Sequence, residues 1–340
     1  MPLQTDPPVS PHQPESAYQV AVRPVAPEMS VVEGRLLRLC GDGSDPLSSA
    51  AQAAVAAGGK RLRPALVLLS ARAVGDVTAI TMDLALAVEV MHLASLLHDD
   101  VVDQATVRRG RPSLRAQSGD RAAVLVGDYL AACAYNELAS LRDGRYAQVF
   151  TAAAMEMCRS EAIFADKRPE DLTQDDCLDS ARGKTAALLA ASCQVGALSG
   201  GASDEAAARF RSFGEHLGIA FQLTDDLLDI YGREAVTGKA PGRDVLTGQF
   251  TVPIVHGLHS SRAGEVRTAI EQVRSAEDPA QALGRLAALL DQIGARAATE
   301  EMARRQVALA KAALEGLVVS SQPALQGLLA IADYLRSRRT

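Results

Sequence analysis

The chain has 340 residues, 48% of them hydrophobic, with 35 Lys and Arg against 41 Asp and Glu and a formal net charge of −6 at pH 7. That length and apolar content suffice for a large core, and the acidic balance excludes a protein that grips nucleic acid through a basic face. Aromatic residues make up 4% and Trp is absent, so the expected architecture is helices packed closely through Ala and Leu.

Residues 1–28 include Pro2, Pro7, Pro8, Pro11, Pro14, Pro24 and Pro27 and hold no apolar core of signal-peptide length. They read as a disordered leader to one domain over residues 29–340. After residue 30, apolar residues recur at helical spacing and strand signals are nearly absent. The spacing predicts helices over 30–40, 46–57, 61–74, 79–103, 120–140, 145–166, 173–199, 204–231, 252–260, 263–274, 279–293, 298–318 and 322–337. Thr173 with Asp176 makes a capping-box pattern, and Ser203 and Gly232 suit the two ends of the 204–231 helix. Gly232–Gly248, with four glycines and a proline, reads as a loop. Helices 79–103 and 204–231 are apolar nearly all round, so both are expected at the centre of a single large all-α bundle around a deep cavity. No run of about 18 uncharged apolar residues marks a membrane span. Cys40, Cys133, Cys158, Cys177 and Cys193 show no C-x-x-C spacing, which fits reduced thiols in a cytoplasmic protein.

Two runs of the form D-D-x-x-D carry most of the chemistry: Asp99-Asp100-Val101-Val102-Asp103 and Asp225-Asp226-Leu227-Leu228-Asp229. Helical spacing puts Asp99 with Asp103, and Asp225 with Asp229, on one face. Two carboxylates about 7 Å apart repel by roughly 2 kcal/mol at an effective dielectric of 20. Six of them facing one cavity require cations, and hard oxygen ligands favour Mg²⁺ that keeps part of its shell for water and substrate phosphates. The plainer alternative is two solvated acidic helix ends. Repetition of the pattern and the basic motifs around it argue against that.

Those basic motifs are Gly58-Gly59-Lys60-Arg61-Leu62-Arg63-Pro64, His92 on the helix of the first run, Arg108 and Arg109 just after it, Gly183-Lys184-Thr185 interrupting a long helix, Phe221-Gln222 one turn before Asp225, and Lys239 in the glycine-rich loop. Together GGKRLRP, HLASLLHDDVVDQATVRRGRPS, GKTAALLAASCQVGA, FQLTDDLLD and GKAPGRDVLTGQFTVP resemble the trans-isoprenyl (polyprenyl) diphosphate synthases, in the family's order, from about residue 30 to 260.

The resemblance implies the isoprenoid synthase type of all-α bundle, a homodimer, and head-to-tail condensation of isopentenyl diphosphate with an allylic diphosphate. It implies roughly three Mg²⁺ between the runs, acting as Lewis acids on the departing diphosphate. Asp99, Asp103, Asp225 and Asp229 are then the metal ligands, with Asp100 and Asp226 either ligands or supports behind them. Lys60, Arg63, His92 and Arg109 are the pocket for isopentenyl diphosphate, where guanidinium forks match phosphate oxygens. Arg108, Lys184, Thr185, Gln222 and Lys239 are expected at the allylic diphosphate, with Thr185, Gln222 and the Lys184 carbonyl facing the carbocation. One position departs from the family's G-K-x-T-L-P: Gln249 stands where Lys is usual, so one charged contact to the allylic diphosphate is missing.

A helix rises about 5.4 Å per turn, close to one isoprene unit, so residues upstream of Asp99 line the growing tail. Ala94 and Ser95 are small and Met91 lies deeper, which points to a product of C20 or longer. Two other functions compete. A class I terpene cyclase needs no isopentenyl diphosphate pocket, and GGKRLRP with the second D-D-x-x-D speaks against it. A non-catalytic regulatory subunit of a heteromeric synthase typically lacks acidic ligands, and both runs are intact.

Overall fold

In a computed structural model, residues 16–337 are described apart from 40, 42, 169 and 233–240. The helices are α1 Ala17–Val22, α2 Ala26–Leu39, α3 Pro46–Ala56, α4 Leu62–Val74, α5 Ala79–Val102, α6 Leu114–Ser118, α7 Asp120–Ala139, α8 Gly144–Ala165, α9 Gln174–Ser180, α10 Ala187–Ser199, α11 Asp204–Tyr231, α12 Arg243–Thr247, α13 Val252–Leu258, α14 Ala263–Ser275, α15 Pro279–Ile293, α16 Ala295–Leu314 and α17 Gln322–Ser337. A two-stranded antiparallel hairpin, β1 Val107–Arg108 and β2 Arg111–Pro112, sits between α5 and α6.

Local chemistry sets many of the helix ends. Thr78 and Thr81 cap α5 reciprocally, Thr173 and Asp176 do the same for α9, and the Ser203 hydroxyl accepts from Ala206 N at the start of α11. Gly232 does end α11, with φ −72° in place of the left-handed geometry of a glycine C-cap.

The disordered leader expected over residues 1–28 does not hold for its last part. Residues 17–28 are helical: α1, a 3₁₀ turn at Arg23–Val25, then the first turn of α2. Ser16 and Gln19 form a capping box, and Pro24 and Pro27 fall in first turns, where a missing N–H leaves no hydrogen bond unmade. Ala21 and Val25 are buried in the main core. Residues 1–15 lie outside the described residues.

The larger core gathers α4, α5, α7, α10, α11 and the inner faces of α1–α3, α8, α16 and α17. A smaller core holds α12–α15 against the C-terminal half of α11 and the start of α16. Helix α11 serves both: Phe210, Phe213 and Leu217 face the larger, Ile219, Leu223 and Ile230 the smaller. Helix α5 is long and apolar enough to cross a membrane by length and composition, yet 67% of its most apolar window is buried inside the fold. Clefts of about 550 Å³ between α14 and α15, and about 510 Å³ between α8, α10 and α11, border neither acidic run.

Candidate active site

Both acidic runs end a central helix. Helix α5 closes at Asp103 through paired turns: Gln104 N–H donates to the Val101 carbonyl and Ala105 N–H to the Asp100 carbonyl, with Gln104 at φ 52°. The chain reverses at once into the hairpin, whose tip residues Arg109 and Gly110 have φ 52° and 72°. Two successive positive φ values match the tight turn whose twist suits a hairpin. Among the described residues, the non-glycine positions with positive φ are Arg61, Gln104 and Arg109, and all three flank this region. Each such position costs on the order of 1 kcal/mol or more.

That turn brings Arg108 back to its own helix. Its Nε and Nη2 donate to Asp100 Oδ1 at 2.9 and 2.6 Å, and Asp100 is 2% exposed. Asp100 is thus tied to a guanidinium, which holds Arg108 against the first run. Asp99 stays half-buried; burial raises its carboxyl pKa, Lys184 opposes that, and Asp103 and Glu161 add to it.

The second run is crowded. Burial lifts the Asp226 carboxyl to about 7, helped by Asp225 and Asp229. Asp229 accepts from the backbone N–H groups of Arg243 and Asp244, both at 3.1 Å. Asp244, to which sequence reasoning gave no role, is a further acid of the same cluster. Burial pushes it well above the carboxylate range, with Asp229, Asp226 and Asp103 adding to the effect. Its only signal in the sequence was an acid two residues after a glycine in a loop.

Gln249 links the first run to this segment: its Nε2 donates to Asp103 Oδ1 at 2.8 Å and its N–H donates to the carbonyl of Asp244 at 2.8 Å, the residue whose own N–H goes to Asp229. From the other side, Ala181–Ala186 is a π-helical segment between α9 and α10. π-bulges inside helices recur at functional sites. Gly183 lets this segment press on α8: a Cβ there would lie 2.2 Å from Ser160 Cβ. The next residue, Lys184, places Nζ 2.8 Å from Glu161 Oε2 on α8. Thr185 Oγ1 donates to Gln222 Oε1 at 2.7 Å, and Gln222 Nε2 donates to Asp226 Oδ1 at 2.9 Å. Lys239 lies outside the described residues.

Of the four residues expected to take isopentenyl diphosphate, Arg63, His92 and Arg109 gather beside the first run, whereas the Lys60 ammonium goes to Tyr334. Arg63, pushed down to about 10 by burial, senses Glu89, Arg109 and Asp99, and its Nε is buried with no hydrogen-bond partner. An orphaned buried donor of this kind calls for an anion. Packing and the fields of Arg63, Arg109, Arg108 and Arg61 hold His92 well below the usual imidazole range. The Arg109 guanidinium lies over Gly59, where a Cβ would meet Nη2 at 2.8 Å. Arg61 of the same motif instead turns inward, to Glu33 (2.8 and 2.9 Å), Glu89 (3.1 Å) and the Val55 carbonyl (2.8 Å). It anchors the start of α4.

Down α5 from the first run, Ser95 turns its hydroxyl to the His92 carbonyl at 2.9 Å. Met91 (7% exposed) and Ala94 (1%) are buried in the larger core.

An all-α bundle with two acidic helix ends facing a basic cluster defines a class of diphosphate-handling enzymes, and comparison with known proteins narrows it. The Polyprenyl synthetase family matches residues 44–286. The chain is 41% identical over 256 residues to heptaprenyl diphosphate synthase component 2 of Geobacillus stearothermophilus, covering 75% of this chain and 79% of that one. It is 35% identical over 288 residues to (2E,6E)-farnesyl diphosphate synthase of Mycobacterium tuberculosis, covering 83% and 80%. Its fold superposes with TM-score 0.87, at 32% identity, on a polyprenyl synthase from Caulobacter crescentus CB15 complexed with calcium and isoprenyl diphosphate, covering 97% of this chain and all of the other. This chain belongs to the polyprenyl synthetase family and is a trans-prenyltransferase of the all-α isoprenoid synthase fold.

Proposed function

We propose that the protein condenses isopentenyl diphosphate head-to-tail with an allylic diphosphate, giving a polyprenyl diphosphate of C20 or longer. The observation that carries this reading is the chain of hydrogen bonds from Asp103 through Gln249 and Asp244 to Asp229, which links the ends of both acidic runs, with the Arg63 and Arg109 guanidiniums and the neutral His92 beside the first.

The donor set fits Mg²⁺. It is all oxygen, and burial has raised the carboxyls of Asp99, Asp226 and Asp244, a state that a bound dication reverses. Among the described residues no group of three or more Asp, Glu, His or Cys side chains is arranged to hold a metal ion by itself; Mg²⁺ usually takes only one or two carboxylates per ion, with substrate phosphates and water completing its shell. Asp99, Asp103, Asp225 and Asp229 would hold about three ions, with Asp100 and Asp226 supporting them through Arg108 and Gln222. When bound, the metal supplies Lewis-acid stabilisation of the departing diphosphate.

The chain's own residues do the rest. Arg108, Lys184 and Lys239 add positive charge where diphosphate charge develops. Thr185 and Gln222 turn oxygen atoms toward the cationic carbon, and their mutual hydrogen bond orients both. Arg63, His92, Arg109 and Lys60 hold isopentenyl diphosphate away from the metals, so that it is not itself ionised. The released diphosphate serves as the base for proton loss. The small side chains of Ala94 and Ser95 leave room for the tail, and Met91 forms a deeper, softer floor.

The working protein is a cytoplasmic homodimer in this reading. Exposed Val124, Leu125 and Tyr135 on α7 and Met155 and Ile163 on α8 support a partner there. A second reading, a catalytic chain that needs an unlike partner, is favoured by the relative named component 2. Incubation of the purified chain with Mg²⁺, isopentenyl diphosphate and C5, C10, C15 or C20 allylic diphosphates tests both. Chain elongation by the chain alone supports the first; activity only with a second protein supports the other; no condensation under either condition sinks the function.

A further inference from the structure

Lys60 is held from two directions by residues at opposite ends of the chain. Tyr18 of α1 donates its hydroxyl to the Lys60 carbonyl at 2.6 Å, and Lys60 Nζ donates to the Tyr334 hydroxyl of α17 at 2.6 Å. The ammonium also lies 5.1 Å from the Tyr334 ring centroid, and the two tyrosine rings stand 5.9 Å apart at 46°. Both tyrosines fall outside the span 44–286 that the family match covers. Lys60 itself sits ahead of α4, between Gly59 at φ 146° and Arg61 at φ 50°. That backbone departs from helix on both sides, and Arg109 packs over Gly59 next to it.

We propose that Tyr18 and Tyr334 are positioning residues that fix Lys60 next to Gly59, over which Arg109 packs, so that the isopentenyl diphosphate pocket is assembled before substrate arrives. The inference rests on the function proposed above. A free lysine side chain loses rotamer entropy when an anion orders it, and ordering it in advance removes that loss from the binding step. An ammonium has three N–H donors. One goes to Tyr334, and two stay available to an anion. Tyr18 acts on the backbone, Tyr334 on the side chain, so the two effects are separable. Burial and the nearby Glu89 carboxylate keep the Tyr18 phenol protonated, as a donor must be.

Tyr18→Phe and Tyr334→Phe keep both rings and remove one hydroxyl each, so the packing of α1 on α17 is preserved. Steady-state kinetics should show KM for isopentenyl diphosphate raised three- to tenfold in each variant, with kcat and the allylic KM within twofold of wild type. In a Lys60→Ala background neither change should raise KM further. An unchanged or lowered isopentenyl KM, equal rises in both substrates' KM, or a full effect persisting without Lys60 would each overturn the proposal. Wild-type protein that condenses nothing would instead sink the function itself, so the two failures are distinguishable.

Discussion

Gln249 Nε2 donates to Asp103 Oδ1 at 2.8 Å, so a neutral amide joins the loop after the second acidic run to the last residue of the first. In the family that this chain resembles, lysine is usual at this position. The amide pins Asp103 without adding charge where a diphosphate is expected. Gln249→Lys should therefore tighten the allylic substrate, lowering its KM roughly three- to tenfold, about 1 kcal/mol, with isopentenyl KM unchanged. Gln249→Ala should loosen Asp103 and raise the Mg²⁺ concentration needed for half-maximal rate. An allylic KM that does not move in the lysine variant would place this residue away from the diphosphate.

The acidic runs should be indispensable for turnover and unimportant for folding. Asp99→Asn and Asp225→Asn remove an ionic ligand while keeping shape, and each should cut kcat by about 10² or more, because metal Lewis acidity is worth several kcal/mol. The melting temperature of Asp99→Asn should hold or rise, since burial raises the Asp99 carboxyl and a neutral side chain escapes that cost. Chelation should abolish the wild-type rate and Mg²⁺ restore it. A variant at near wild-type rate would remove that residue from the metal site.

In the proposed reading, product length is set on α5. Ala94 is 1% exposed and packed in the larger core, so Ala94→Phe should shorten the product, read by chromatography of the dephosphorylated alcohols. Overpacking of this kind costs about 1–3 kcal/mol, and a matching loss in melting temperature is expected. An unchanged product profile in a folded variant would show that the tail runs along another wall.

His92 gives a pH signature. Unfolded, it takes up a proton near pH 6.5; folded, packing and four nearby arginines hold it neutral to well below that. Above about pH 6.5 neither state is protonated, and the residue adds no slope. Below it the unfolded chain binds a proton that the folded chain refuses, so stability falls with pH in that window. The melting temperature of wild type should drop between about pH 7.5 and 5.5, and His92→Gln should show a smaller drop. Equal drops would assign the acid sensitivity to other groups.

How much of this was legible beforehand follows from the range of each interaction. Helices 204–231 and 279–293 were placed to the residue, because Ser203, and Asp278 with Pro279, write their starts locally. The interruption at Gly183-Lys184-Thr185 was visible too, as a π-helical segment between α9 and α10. The stretch 17–28 was misjudged as disordered, since the prolines outweighed the capping pair Ser16 and Gln19. The hairpin after the first run was missed because two residues per strand leave no alternation to detect. Every residue expected at the metals or the allylic site falls near the runs, except Lys239, which lies outside the described residues. What no pattern revealed were partners far apart in sequence: Gln249 with Asp103, Lys184 with Glu161, Lys60 with Tyr334. Those depend on how whole helices pack.

The double duty of α11 limits how this molecule can open. Phe210 and Phe213 anchor the helix in one hydrophobic mass, and Leu223 and Ile230 in the other, so the halves share a common beam and cannot hinge apart without breaking both.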